Sequence, residues 1–289
     1  MCFDCRLGIP FGTHQLRDLE EYSHRVKSLN LLIDMKEHVD LLNKTMGHYN
    51  ILIKVDTGYH RAGLDAAKPD AIVALAKYVQ DSSVCHFLGI YSHAGHSYNQ
   101  KSKEDVCRVA REERDAMVRV RKELERNGIK VAVVSCGSTP ACTLSDDWTG
   151  VTEIHAGNYC CFDRNQVDIG SCESTDANAG RLLCRVLSHY PERNTMLTDG
   201  GGIPLSKDKS GLDNWGTVYG HPELYVSRIS QEHGIITSDN PIDYSKYPIG
   251  TVLMVYPNHS CMTAAQHAKY YIINGDMVVD NWTDRKSVV

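Results

Sequence analysis

Through the first half of the chain, short aliphatic or β-branched runs alternate with amphipathic stretches. Phe3–Leu7, Leu29–Ile33, Ile51–Val55, Val84–Tyr91, Lys130–Ser135 and Val151–His155 read as strands, each ending near glycine, aspartate or a polar cluster. Between them lie helical patterns. Leu16, Leu19, Tyr22, Val26 and Leu29 mark one apolar face, and Lys103–Asn127 is a long Arg- and Glu-rich helix closed by Gly128. Strand–helix alternation predicts a parallel α/β sheet. After about Gly180 the rhythm changes. Arg181–Tyr190, Thr195–Thr198, Glu223–Gln231, Gly234–Thr237, Thr251–Tyr256, Tyr270–Ile273 and Met277–Val279 read as strands joined by short turns, and Asn274-Gly275 signals a hairpin. The expected fold is α/β over residues 1–178 followed by an antiparallel β domain over 179–289. The polar, acidic stretch Asp163–Asn178 is expected to cross between them. Six predicted parallel strands fall two short of a closed (β/α)8 barrel.

Composition narrows the class. A chain of 289 residues accommodates one large or two modest domains, and 42% apolar with 23% charged residues is an ordinary globular balance. The net charge of −5 argues against a nucleic-acid partner. No apolar run reaches the length of a membrane span, and Met1–Arg6 lacks the charged and apolar regions of a signal peptide. Eleven cysteines, with Cys160 and Cys161 adjacent, suit free thiols in a reducing cytoplasm better than a disulfide framework.

Candidate chemistry gathers at predicted strand ends. Lys54-Val55-Asp56-Thr57-Gly58-Tyr59-His60-Arg61 follows one strand, where the mouth of a parallel barrel collects its active site. Arg61 there either binds an anionic oxygen or pairs with Asp56 in the loop. Tyr91-Ser92-His93-Ala94-Gly95-His96-Ser97-Tyr98 sets two imidazoles and two phenols near one strand end, rings suited to stacking on a planar heterocycle. Gly137-Ser138-Thr139 and Gly157-Asn158-Tyr159 offer glycine and donors of the kind that approach a phosphate, or are simple βα turns. In an extended segment His259 and Cys261 would share a face, and an imidazole with a thiolate suits zinc, although His-x-Cys alone is not specific. Asp199-Gly200-Gly201-Gly202 reads as a turn.

Taken in order, these segments resemble the fold-type III pyridoxal-phosphate (PLP) enzymes, in the branch of eukaryotic-type D-serine dehydratases and D-threonine aldolases. The Lys-Val-Asp-Thr-Gly-x-x-Arg run, the Gly157-Asn158-Tyr159 loop, Leu205-Ser206-Lys207-Asp208 and His259-Ser260-Cys261 carry the likeness, which is closest to the dehydratases and spans about Asp4 to Trp282. The resemblance implies an alanine-racemase-like barrel with PLP at its mouth and a C-terminal β domain that contributes zinc. It implies conversion of D-serine to pyruvate and ammonia, on a small-molecule D-amino acid, in a homodimer. A lysine of the first barrel strand would carry PLP as a Schiff base and take the α-proton, while zinc acts on the β-hydroxyl. By the same matching Tyr91, Tyr98, Thr139, Gly157 and Asn158 contact PLP, Arg61 supports it, and His259 and Cys261 bind zinc. His93, matched to the ring stacked beside PLP, is the candidate catalytic residue. His155 stands where alanine racemases place an arginine at the pyridine nitrogen. Phe3–Pro10 resembles the third barrel strand of the family, so two strand–helix units and the Schiff-base lysine are expected to be missing and this chain to be inactive. Two other readings stay open at this point. One is an aldolase-like lyase, against which Cys261 counts because that branch resembles His-x-Asp. The other is a non-catalytic remnant.

Overall fold

Residues 13–275 and 277–283 are described in the computed structural model, and the strand expected over Phe3–Leu7 lies outside them. The chain divides into two units, one ending at Gly157 and one beginning at Asn158, so the acidic stretch Asp163–Asn178 groups with the second unit.

In the first unit the aliphatic runs form parallel strands. They are β1 (Asn30–Ile33), β2 (Tyr49–Asp56), the short β3 (Leu64–Asp65), β4 (Cys85–Tyr91), β5 (Val133–Cys136) and β6 (Glu153–Ile154). The sheet runs β1-β2-β4-β5-β6, with β3 beside β2, and is open among the described residues. Helices α1 (Thr13–Arg25), α2 (Lys36–Leu42), α3 (Pro69–Gln80) and α4 (Lys103–Arg126) are interleaved with the strands, as alternation requires. Period two decides what each strand buries. Ile51, Ile53 and Val55 of β2 join Ile90 of β4 and Val134 of β5 in a core with Ile72, Ala76 and Val79 of α3 and Met117, Val120 and Leu124 of α4. The alternate residues, Lys54, Tyr91 and Ser135 among them, point to the other face. Gly89 lets β4 and β5 pair, because a Cβ there would stand 1.9 Å from the Val133 carbonyl oxygen.

Helix α4 begins where its chemistry says it should. Ser102 accepts from the Asp105 backbone N–H at 3.1 Å and donates to the Asp105 carboxylate at 2.8 Å. It ends at Gly128, whose φ of +77° suits glycine after a helix. One sequence expectation needs correction, and one helix was not foreseen. Helix α1 stops at Arg25, so Val26 leaves the helical face and is exposed, and Tyr22 is exposed as well. Helix α2, too short to stand out as a pattern, buries His38, Val39 and Leu42.

The second unit is antiparallel. Strands β7 (Leu182–Tyr190), β8 (Thr195–Thr198), β9 (Gly216–Val218), β10 (His221–Ile229), β11 (Gly234–Thr237) and β12 (Val252–Pro257) close into a barrel in the order β10-β11-β8-β7-β12-β9. Its filling is Leu182, Cys184 and Val186 of β7 with Met196, Val218, Val226, Ile236 and Val255. A separate hairpin joins β13 (Lys269–Asn274) to β14 (Met277–Thr283), with Gly275 at φ +59° in the turn. Strand β9 was not expected: three residues are too few to show alternation. No helix among the described residues is long and apolar enough to cross a membrane.

Candidate active site

Strand register assembles the first constellation, within the first unit. Lys54 of β2 pairs with Tyr91 of β4, Tyr91 with Ser135 of β5, and Ser135 with Glu153 of β6. Residues in register on neighbouring strands share a face, so this row runs across four strands near their C-terminal ends. The Lys54 ammonium lies 4.6 Å from the Tyr91 ring centroid. The Tyr91 ring stacks on His155 at 4.3 Å and 10°. Ser135 Oγ donates to Glu153 at 2.7 Å and lies 3.0 Å from His155 Nδ1, while His155 Nε2 is buried without a partner among the described residues.

The loop after β4 lays its rings beside this stack. His93 lies 6.1 Å from His155 and 6.4 Å from Tyr98. His93 Nδ1 meets the Gly137 carbonyl at 2.9 Å, so this loop is tied to the one after β5. The Thr139 N–H donates to the Tyr98 hydroxyl at 3.3 Å, and Ser97 and Ser138 share a hydrogen bond of 2.7 Å. Gly137 fits under the backbone of His155 only because it lacks a Cβ, which would stand 2.4 Å from the His155 carbonyl oxygen at a φ of +143°. Burial, then the charges of Lys54 and Arg61, holds His93 down at about 4. Burial, then His93 and Lys54, holds His155 down at about 3. Both imidazoles are therefore neutral at pH 7. Arg61 is exposed with its guanidinium 4.9 Å from the Tyr59 ring centroid. The alternative pairing of Arg61 with Asp56 is not what the loop does: Asp56 accepts from the backbone N–H of Gly58 and His60 and faces the His60 ring.

Glu113 escaped the sequence reading. It lies in the polar-looking α4, yet it occupies the apolar register of Val106, Val109, Met117 and Val120, which is the signal that could have found it. Its side chain is wholly buried and accepts from Ser92 Oγ at 2.6 Å. Burial pushes its carboxyl up.

The second constellation lies in the second unit. His259 precedes the short helix α5 (Ser260–Ala264), so Cys261 is helical and the extended-segment argument for a shared face fails. The two side chains are nonetheless close enough for Cys261 to be the leading influence that raises the His259 ring. Asp208 Oδ2 lies 2.5 Å from His259 Nδ1, and Asp208 Oδ1 accepts from the Ser210 N–H at 2.8 Å. The influence of Cys261, opposed by burial and aided by Asp208, lifts His259 to about 9. Asn158 is buried: it donates to Asp163 at 2.6 Å and accepts from Ser260 Oγ at 2.6 Å. Arg164 bridges Asn214 and Asn258, both at 2.6 Å, beneath the turn that carries His259. A cleft of about 600 Å³ in this unit is lined by Arg164, Tyr219 and Tyr256 and does not include His259 or Cys261. Among the described residues no group of three or more His, Cys, Asp or Glu side chains is arranged to hold a metal ion.

Comparison with known proteins bears directly on these two constellations. Residues 9–164 match the family described as alanine racemase, N-terminal domain, and residues 179–273 match the putative serine dehydratase domain. The D-serine dehydratase of Dictyostelium discoideum is 35% identical over 303 residues, covering 96% of this chain and 76% of that protein. This chain belongs to the D-serine dehydratase family. The Schizosaccharomyces pombe D-serine dehydratase is 32% identical, with 98% of this chain and 73% of that protein covered. Among solved structures, D-threo-3-hydroxyaspartate dehydratase from Delftia sp. HT23 superimposes with a TM-score of 0.87 at 27% identity, over 96% of this chain and 78% of that one. A histidine-to-alanine mutant of the same enzyme, and a cysteine-to-alanine mutant in the metal-free form, match equally well. The expected fold therefore holds: an alanine-racemase-like parallel unit followed by an antiparallel β unit. The family is PLP-dependent and acts on small D-amino acids.

Proposed function

We propose that this chain carries the cofactor mouth and the metal ligands of a PLP- and zinc-dependent D-serine ammonia-lyase. The observation that carries the reading is the Tyr91–His155 stack, flanked by Lys54 and neutral His93 at the ends of parallel strands. Such a site fits a planar, anionic heterocycle. It offers flat rings, a positive charge, an unpartnered imidazole nitrogen and a glycine whose missing side chain leaves open space, Gly157. Tyr91, Tyr98, Thr139, Gly157 and Asn158 are assigned to cofactor contacts, Arg61 to support of the cofactor, and His93 to its flank. His155, neutral, cannot press a positive charge on a pyridine nitrogen as an arginine would.

The donor set of the second unit fits zinc. Asp208 occupies Nδ1 of His259, which leaves Nε2 for a metal, and the Cys261 thiol stands beside it. In the Delftia relative the mutated histidine and cysteine are two positions apart, the spacing of His259 and Cys261. Bound at these residues, PLP would store the electrons left by the α-proton and zinc would ease departure of the β-hydroxyl.

The test is enantiomer choice. Protein loaded with PLP and zinc is titrated calorimetrically with D-serine and L-serine. The D enantiomer is expected to bind at least about tenfold tighter, about 1.4 kcal/mol. Equal affinity would remove the D-amino-acid assignment.

A further inference from the structure

Lys54 is a buried cation that makes no ion pair or hydrogen bond among the described residues. Its side chain is only 5% exposed. Gly63 makes room for the stem, since a Cβ there would stand 2.8 Å from Lys54 Cγ. An ammonium has three donors, yet no hydrogen-bond acceptor acts on this one among the described residues: its surroundings reach it only through space and through the Tyr91 ring. The two carboxylates whose charge it feels are engaged elsewhere. Glu113 takes the Ser92 hydroxyl on one oxygen and keeps the other buried without a hydrogen bond among the described residues, and Asp56 takes the Gly58 and His60 amides, so neither carboxylate is hydrogen-bonded to the ammonium. The other neighbours offer no compensation. Arg61 repels it, and His93 and His155 are neutral.

A buried charge with no hydrogen bond is among the costliest arrangements in a protein, and a ring face offsets only part of that cost. Two outcomes relieve it: the amine gives up its proton, or a ligand brings an oxygen with negative charge. Burial already moves Lys54 down to about 8, which leaves it mostly protonated at pH 7. Strand register settles where it faces. Lys54 is in line with Tyr91 and Ser135, on the face that carries the aromatic stack and away from the helix-packed core.

We infer that Lys54 is a ligand-binding residue whose ammonium takes an anionic oxygen of the small molecule held at the mouth of the first unit. The inference rests on the cofactor reading above and goes beyond it by naming the group that neutralises this charge. Two sources share that chemistry: the ring phenolate of a pyridoxyl compound and the carboxylate of an α-amino acid.

The probes are 4′-deoxypyridoxine 5′-phosphate, which keeps the ring hydroxyl but has no carbonyl to react with lysine, and D-serine added at saturating analogue. Affinities are measured for wild type and Lys54→Met, with melting curves to confirm that the variant is folded. A loss of tenfold or more for the analogue assigns the phenolate. An unchanged analogue with a tenfold loss for D-serine assigns the carboxylate. Equal affinity of the two proteins for both probes overturns the inference, whereas failure of wild type to bind the analogue overturns the cofactor reading beneath it. A second measurement needs no variant. Acetylation of wild-type Lys54 by acetic anhydride, followed by peptide mass, should slow at least tenfold when the ligands are bound, while exposed Lys77 reacts unchanged. Equal acetylation of Lys54 with and without the ligands also overturns the inference.

Discussion

Replacing Cys261 by alanine is expected to take bound zinc from about one ion per chain to near zero. The proposed ligands are His259 and Cys261, and no group of three or more His, Cys, Asp or Glu is arranged for a metal among the described residues, so removing the thiolate leaves a single proposed imidazole ligand. A change to a group behind a ligand already costs roughly 10- to 100-fold in affinity, and loss of one of two ligands should exceed that. The pH dependence follows from His259. The thiol and Asp208 hold its pKa up at about 9, so in the metal-free protein the ring is protonated at neutral pH and must release a proton to bind. Zinc affinity should therefore rise at least about tenfold per pH unit up to about pH 9, and more steeply where the thiol must release its proton as well. Stability of the metal-free protein runs the other way. The raised pKa adds stability that is fully present below the ordinary value of 6.5 and is lost as pH rises through about 9. Metal analysis of dialysed protein decides the assignment. Equal zinc in wild type and Cys261→Ala would remove His259-x-Cys261 from consideration.

The second large effect is an absence of turnover. Lys54 is the only lysine with a buried side chain among the described residues, and it belongs to the Lys-Val-Asp-Thr-Gly-x-x-Arg run on β2 rather than to a first-strand Schiff-base motif. It also sits against the Tyr91 ring, 4.6 Å from its centroid. No other buried amine stands at a strand end among the described residues, and an amine so placed would supply both the covalent anchor and the base for the α-proton, each of which contributes orders of magnitude. The 289-residue chain, given PLP, zinc and D-serine, is expected to form no pyruvate above the background of free PLP. Borohydride reduction should label no single lysine stoichiometrically. Zinc-dependent pyruvate together with one uniquely labelled lysine would show that the cofactor-bearing residue has been misjudged.

Much of this architecture is legible in the sequence because it depends on local periodicity. The runs at Ile51–Val55 and Val84–Tyr91 alternate or cluster as buried strands must, and they place Lys54 and Tyr91 at strand ends without reference to tertiary structure. The rhythm after Gly180 identified the antiparallel unit for the same reason. Three things escaped. Strands β3 and β9, of two and three residues, are too short to carry a period. Hydrogen bonds between distant residues, such as Asp208 with His259 and Ser92 with Glu113, leave no spacing to read. The conformation at Cys261 also misled, since a single turn of helix after β12 has no pattern of its own, and the thiol reaches His259 by a different geometry from the one spacing suggested.

The central claim is that the first unit is built to hold PLP through rings, hydroxyls and charge even without a covalent link. Equilibrium dialysis against PLP at pH 7, with bound cofactor measured after borohydride-free release, tests it most directly. The account predicts saturable binding of about one PLP per chain, fully removable by dialysis and weakened at least about tenfold when Tyr91 is replaced by alanine, the loss of one aromatic contact and its area. Binding that does not saturate, or that is the same in Tyr91→Ala, would contradict it.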